Sequence, residues 1–472
     1  MSGGFRSRAD GRRGPRGEKR TTPRQQTRYS VKARPASIGD APREAAFETM
    51  LRVTRDGAFA NLTLPGLLKE RKIKGRDAAF ATELTYGALR TMGVLDEVIG
   101  ANSSRPVNDI NAEVLTALRL GTYQLLYTRV EDHAAVDTSV RLVEAANQEK
   151  AKGFANGVLR SIARTPAAQW LEKFDHNHAH PDWVAASFAA ALGESAVAEL
   201  DAALKADSER PIVHLVARPG EITAEELALT TGGEEGKYSP YAVYLPEGDP
   251  GQLQEVREGL AGVQDEGSQL IARALAEVPV EGDQGRWLDL CAGPGGKAAL
   301  IGSIASIDGA RVTAVEVAPH RAELIRKAVG DLPVKVTVAD GRDPGLEKAS
   351  FDRVLVDAPC SGLGALRRRP EARWIKTERD IAELNTLQSE LLASAVRLTR
   401  PGGVIVYSTC SPDVRETRGI VDKQLALGQV EELDAHQFAG GMEDVGEHKS
   451  VQMWPHRHGT DAMFFAVLRK LP

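Results

Sequence analysis

Between about Pro42 and Ile162, apolar residues recur at i, i+3 and i+4. The sets include Phe47, Met50 and Leu51; Phe80, Leu84 and Ala88; Val114, Leu118 and Leu125; Val136, Val140 and Val143; and Phe154, Val158 and Ile162. That period lays an apolar stripe along each of a series of helices, and the Gly, Asn and Pro breaks between them are short, which predicts an all-α bundle. Ala-rich helical sequence continues over 166–210, interrupted between His176 and Pro181. The period then changes. Pro211–Val216 and Tyr241–Leu245 read as strands around a helix at Ala224–Leu229, a small α+β module. From Val263 onward, near-continuous apolar runs at Trp287–Leu290, Arg311–Val317, Val334–Val338, Arg353–Asp357 and Gly403–Tyr407 alternate with helical stretches at Ala298–Ile304, Arg321–Val329 and Ile381–Leu398. Strands apolar on both faces need helices on both sides, so this part predicts a doubly wound α/β sheet. The expected chain is multidomain: a tail over 1–40, a helical domain over 41–165, a helical linker over 166–210, the α+β module over 211–262 and the α/β domain over 263–472.

Composition adds the solvent and the partner. With 42% hydrophobic and 26% charged residues, the 472-residue chain is ordinary globular material. No apolar run approaches the roughly 20 residues that span a bilayer, and no apolar signal stretch opens the chain, so no membrane association is expected. Sparse cysteine suits a reducing cytoplasm. The formal charge of −5 conceals an asymmetry: eleven Lys/Arg face three acids over residues 1–40, a net +8 against −13 elsewhere. Gly, Pro, Ser and Arg dominate that tail, which predicts a disordered arm that holds phosphates by counterion release. The acidic remainder argues against a duplex-coating protein, so further nucleic-acid contact needs a local basic patch. Arg367, Arg368, Arg369 and Arg373 around Trp374 provide a candidate.

The residues that carry chemistry gather in the last domain. The cysteines number three, an odd count, and form no C-x-x-C pair; His176-Asn-His-Ala-His180 lacks a carboxylate pair at ligand spacing. Neither a disulfide framework nor a metal site is expected. After the first α/β strand comes Cys291-Ala292-Gly293-Pro294-Gly295-Gly296-Lys297, then a helix. Its glycines let backbone approach a ligand closely, and the helix start offers unpaired N–H groups. A Walker loop is excluded, because Cys291 occupies the position of its first Gly and Ala298 that of its Ser or Thr. A variant G-x-G-x-x-A reading keeps a nicotinamide ligand as a minor alternative. Glu316 and Asp340 end the next two strands, suited to ribose hydroxyls and an adenine amino group, so loop and acids together predict an adenosine-binding edge. Asp357, Cys360 and Cys410 follow the fourth and fifth strands, where such sheets open onto their ligands.

The strings Val263-Gln-Asp-Glu-Gly-Ser-Gln-Leu270, Asp289 to Lys297, Asp357-Ala-Pro-Cys-Ser-Gly362, Arg368-Arg-Pro-Glu-Ala-Arg-Trp374, Tyr407-Ser-Thr-Cys-Ser411 and Gly459-Thr-Asp-Ala-Met-Phe-Phe465 together resemble the RsmB/Sun-type RNA cytosine-C5 methyltransferases. Gly153-Phe-Ala-Asn-Gly-Val-Leu-Arg160 is similar to the NusB-like RNA-binding bundle that precedes the catalytic domain in the RsmB subgroup. The resemblance implies S-adenosyl-L-methionine as cofactor and RNA as partner, with small-subunit (16S) ribosomal RNA favoured; a monomer without metal is expected. In this chemistry a thiolate adds to carbon 6 of cytosine, carbon 5 takes the methyl group, and loss of the carbon-5 proton expels the thiol. The resemblance assigns attack to Cys410 and breakdown of the adduct to Cys360, whereas analogy with DNA cytosine methyltransferases, which attack through a Pro-Cys pair, would make Cys360 the nucleophile. Asp357 is suited to hydrogen-bond or protonate the ring nitrogen. Lys297 orients the substrate or steers RNA, against the plain alternative of a surface lysine at a helix start. Cys291 lines the cofactor loop with Ala292, Gly293, Pro294, Gly295 and Gly296.

Two departures stand out. Gly293 replaces an Ala common in the family, a change expected to be harmless, and Glu316 replaces a frequent Asp, so its ribose contact needs a longer arm. Two other readings remain: a tRNA cytosine-C5 methyltransferase of the same chemistry, and a non-catalytic NusB-like RNA-binding or antitermination factor.

Overall fold

A computed structural model of the protein describes residues 37–472, so the basic tail up to residue 36 lies outside the described residues. Helices at Ala41–Asp56, Ala60–Glu70, Gly75–Arg90, Met92–Asn102, Ala112–Tyr127, Asp132–Ala145 and Lys152–Ala163 form the bundle. The first begins where the Asp40 side chain accepts the Arg43 N–H and ends at Gly57, left-handed at φ 65°. Ala112–Tyr127 is the central helix, buried around most of its circumference. Leu118 on it packs with Phe47, Met50, Leu84, Val143 and Leu159, the stripes read from the periodicity. Each such fully buried side chain contributes about 1.5–3 kcal/mol.

Helices at Ala167–Lys173, Asp182–Leu192 and Ala196–Ser208 follow. They are more than a spacer. Val184, Phe188, Leu192 and Leu204 pack onto Leu363, Leu366, Trp454 and Ala462 of the α/β part. His180 bonds buried Asp207 at 2.9 Å, and His176 and His178 pair with Asp201 and Asp175. Among the described residues, no group of three or more His, Cys, Asp or Glu is placed to hold a metal ion, and no helix is long and apolar enough to cross a membrane. The small antiparallel sheet has strands β1 (Val213–Ala217), β2 (Glu234–Glu235), β3 (Ala242–Leu245) and β4 (Ala261–Val263) in the order β2-β3-β1-β4.

The main sheet contains the five expected strands, β5 (Arg286–Asp289), β6 (Arg311–Glu316), β7 (Val334–Val338), β8 (Phe351–Asp357) and β9 (Thr399–Thr409). It also has β10 (Val430–Leu433), β11 (Val451–Gln452) and β12 (Phe464–Lys470), beyond the expected set. The order is β10-β12-β9-β8-β5-β6-β7, with β11 against β12. Strands β5 to β9 are parallel, and β12 runs antiparallel between β9 and β10. Side chains alternate across it: Leu355, Val404 and Val406 face Leu270, Ile271 and Ile301, while Val354, Val356, Ile405 and Tyr407 face Leu391 and Leu392. Because the chain winds outward from β5 through β6 to β7 and then crosses to β8 and β9, a switch point opens between β5 and β8 at their carboxyl ends.

The basic patch expected around Trp374 does not form a surface. The Arg373 guanidinium is wholly buried and donates to the carbonyls of Arg90, Ala179 and Asp207 at 2.9, 3.0 and 3.1 Å and to the Asp207 carboxylate at 2.9 Å. Trp374 packs against the helical bundle and donates from Nε1 to the Leu89 carbonyl. Arg367 and Arg368 pair with Asp461, and Arg368 also with Asp265. Only Arg369 of the four is exposed. The charges join the bundle, the linker helices and the sheet domain, a use that a run of arginines in sequence does not distinguish from RNA contact.

Candidate active site

Asp357 and Ser408 are register partners on adjacent strands β8 and β9, so the residues just beyond them leave the sheet side by side. This brings the Cys360 and Cys410 sulfurs to 3.3 Å, with both residues partly accessible. Sharing a proton separates their acidities. The contact with Cys360, assisted by Arg369 and Lys297, draws Cys410 below the ordinary thiol range against burial. The same contact, together with burial, pushes Cys360 well up. Cys410 is the more acidic thiol of the pair and Cys360 the less acidic one.

Lys297 lies at the start of the helix Gly296–Asp308 and reaches across to Asp357, Nζ to Oδ2 at 2.7 Å, with its side chain 10% exposed. The surface-lysine alternative is thus excluded. Burial opposes its charge, but Asp357 holds its pKa above the ordinary value. The other Asp357 oxygen accepts from the Ser408 hydroxyl at 3.0 Å. Asp289, ending β5, is buried; burial and then the Asp357 charge push its carboxyl up to about 7. One of its oxygens has no hydrogen-bond partner in the protein. Sequence reading had given Asp289 and Ser408 no role; the signal for both was their place at strand ends.

The glycine loop passes over the carboxyl ends of β5 and β6. A Cβ on Gly295, at φ 118°, would lie 2.9 Å from the Ala328 side chain and 3.0 Å from Ile325 Cα. A Cβ on Gly293 would lie 2.1 Å from Glu316 Oε2. That carboxylate is buried, accepts the Ala318 N–H at 2.8 Å and lies 3.5 Å from Arg321 Nε; Arg321 also donates to the Gly293 carbonyl. Gly293 is therefore no slack in the backbone, as its exchange for Ala had suggested, but the space that the longer acid fills. Asp340, beyond β7, has both oxygens engaged by Arg342, the shortest contact 2.6 Å, and lines an outer cleft with Asp343, Glu390 and Arg397. Cys291 is half-buried against the core between Leu288 and Leu391, and burial raises its thiol well above the ordinary range, so it stays protonated and inert.

The match of this geometry to known proteins is extensive. Residues 274–469 match the family model described as 16S rRNA methyltransferase RsmB/F, and residues 40–164 match the NusB family. A relative from Klebsiella pneumoniae, named ribosomal RNA small subunit methyltransferase B, is 36% identical over 91% of this chain and 98% of its own. This chain belongs to the RsmB/F family of rRNA methyltransferases. A Mycobacterium tuberculosis protein designated a methyltransferase is 55% identical over 92% of this chain and 97% of its own. The crystal structure of PH0851 shares the fold, at a TM-score of 0.76 and 22% identity over 92% of this chain and all of that one.

As an RsmB/F enzyme, the protein uses S-adenosylmethionine. Its residues fit that ligand: a glycine loop that leads into a helix start, a buried acid ending β6, and an unpartnered buried oxygen on Asp289. Carboxylates at strand ends and N–H groups at a helix start supply the acceptors and donors that an adenosine and an amino-acid moiety require.

Proposed function

We propose that this rRNA methyltransferase modifies carbon 5 of an unpaired cytidine in 16S ribosomal RNA, with Cys410 as nucleophile and Cys360 as the residue that releases the product. The observation that carries the reading is the 3.3 Å thiol pair beside the Lys297–Asp357 ion pair. S-adenosylmethionine, held by Cys291 to Lys297, Glu316, Asp340 and Asp357 together with Asp289, supplies an electrophilic methyl group when bound. Asp340 has to turn from Arg342 to join that set.

Cytosine carbon 5 is a poor nucleophile until a thiolate adds at carbon 6, and the lowered pKa of Cys410 favours that thiolate. Asp357, braced by Lys297 and Ser408, receives the pyrimidine edge, and a proton passed from Lys297 through Asp357 to ring nitrogen 3 offsets the charge that develops on addition. Once the Cys410 sulfur is bonded to carbon, its negative charge is gone and with it a main cause of the raised Cys360 value. Cys360 then gives its own proton to solvent and, as the thiolate, takes the carbon-5 proton, while ring nitrogen 3 returns its proton to Asp357; the double bond re-forms and Cys410 leaves as the thiolate. Because a stacked base is out of reach of these groups, the cytidine is unpaired or turned out of its helix.

The 16S assignment is supported by the names of the relatives, and the bundle is the natural second RNA contact. The test is a pair of variants and a map. Cys410→Ser should abolish methylation and covalent attachment to RNA, whereas Cys360→Ser should accumulate a denaturant-stable protein–RNA adduct; the opposite pattern exchanges the two roles. Mapping 5-methylcytidine in total RNA with and without the gene should find the lost mark in 16S rRNA, and a loss confined to tRNA would overturn the substrate.

A further inference from the structure

Both cysteines sit on short segments beyond strand ends, yet their sulfurs are held in register, and the group that links the segments is a buried carboxylate outside the family strings considered above. Glu416 is fully buried. Its backbone carbonyl accepts the Tyr407 hydroxyl at 2.7 Å, which ties it to β9, the strand that leads into Cys410. Its side chain reaches the other segment: Oε1 accepts the Ser361 N–H at 2.8 Å, and Oε2 accepts the Ser361 hydroxyl. Ser361 Oγ also lies 3.0 Å from Ser411 Oγ, the residue after Cys410. Gln388, itself buried on the helix Glu378–Leu398, donates to Glu416 Oε1 at 3.0 Å and to the Pro359 carbonyl at 2.9 Å. The peptide groups on either side of Cys360 are thus both fixed, the carbonyl before it by Gln388 and the N–H after it by Glu416.

We propose that Glu416 is a positioning residue for the release step, holding the Cys360 segment against the Cys410 segment so that the second thiol stays within reach of the base once the first is bonded to it. This rests on the cysteine roles proposed above. Cys410 depends less on the clamp, because it follows directly from a strand whose last residue, Thr409, is paired to β12. Loss of the carboxylate therefore frees Cys360 more than Cys410 and slows release more than attack. A buried acceptor of three hydrogen bonds has no replacement from solvent, so the loss falls on the geometry.

The experiment measures methyl turnover, KM for RNA and the denaturant-stable adduct for Glu416→Ala, Glu416→Gln and the two cysteine variants. Glu416→Ala should lower turnover by roughly 10- to 150-fold, the scale of a lost hydrogen bond to a charged group, with adduct accumulating and KM unchanged. Glu416→Gln should turn over close to the parent enzyme: its amide oxygen accepts from Ser361 N–H and Gln388, and its amide nitrogen donates to a Ser361 hydroxyl turned towards Ser411. A purely structural role would lower the active fraction without raising the adduct. Normal turnover in Glu416→Ala, loss of both turnover and adduct in the folded variant, or an equal defect in Glu416→Gln would each overturn the proposal. If Glu416→Ala fails to fold, Ser361→Ala removes one arm of the clamp and should show a smaller rise in adduct; no rise would overturn it. Failure of Cys360→Ser to accumulate adduct marks failure of the cysteine roles instead.

Discussion

Replacing Gly293 by Ala tests the cofactor edge at one atom. Gly293 has no positive φ, so alanine is free to adopt its backbone, and the perturbation is confined to the new Cβ. That carbon would meet Glu316 Oε2 at 2.1 Å, well inside contact distance, and the carboxylate has little room to retreat, being buried with the Ala318 N–H and Arg321 on it. In the proposed site, displacing it removes the acceptor assigned to the ribose. A hydrogen bond to a charged group is worth about 1.5–3 kcal/mol, so S-adenosylmethionine should bind roughly 10- to 150-fold more weakly. Glu316→Asp withdraws the carboxylate by about one bond length, near 1.5 Å, and alone should also weaken binding because the arm is short. The two changes together should recover much of the loss, with a coupling of at least about 1 kcal/mol in the double-mutant cycle. Calorimetric titration of the four proteins with S-adenosylmethionine, without RNA, reads this directly. Parent-like affinity in Gly293→Ala, or losses that simply add in the double variant, would refute the steric pairing of loop and acid.

Three further outcomes follow from the same contacts. Burial and then the Asp357 charge push the folded Asp289 carboxyl from an ordinary 3.8 up to about 7, so the native state holds that proton more tightly and stability falls as pH rises between those values. Asp289→Asn does not titrate there, so without cofactor its unfolding free energy relative to the parent should climb from pH 5 to pH 8 by up to about 3 kcal/mol; a pH-independent difference sinks the assignment. Arg373→Met leaves Asp207 buried beside His180 without its cation and should cost about 3–5 kcal/mol in denaturant unfolding, while the salt dependence of RNA binding stays unchanged. Arg369→Ala should do the reverse, lowering the slope of log affinity against log salt by about one with the unfolding midpoint unaltered.

Much of the fold was legible because burial writes its period into the chain. The helical stripes through Leu118 and Leu159 and the apolar runs of β5 to β9 follow from one-sided and two-sided burial respectively. Strand β10 is hard to read because Val430–Leu433 carries two glutamates at the edge of the sheet, where the two-sided apolar rule weakens, whereas the buried run Phe464–Leu468 of β12 does carry the two-sided apolar signal. The arginine run was misread for a related reason. Arg373 and an RNA-binding arginine have the same side chain, and what separates them is whether Asp207 and three carbonyls stand around it.

The sequence by itself determined the kinds of groups at the site and their order along the chain: a glycine loop, acids at strand ends, and two cysteines after the fourth and fifth parallel strands. These are local properties, set by which residue follows a strand and by what its side chain is able to do. Tertiary structure decided the distances between them. Cys360 and Cys410 become a 3.3 Å pair because β8 and β9 are neighbours in register. Lys297 leaves the surface because Asp357 is across the switch point, and Gly293 and Glu316 become one steric unit although 23 positions separate them in the numbering. Proton sharing, ion pairing and close packing all depend on distances of a few ångströms, which are fixed only when segments remote in the chain fold against one another.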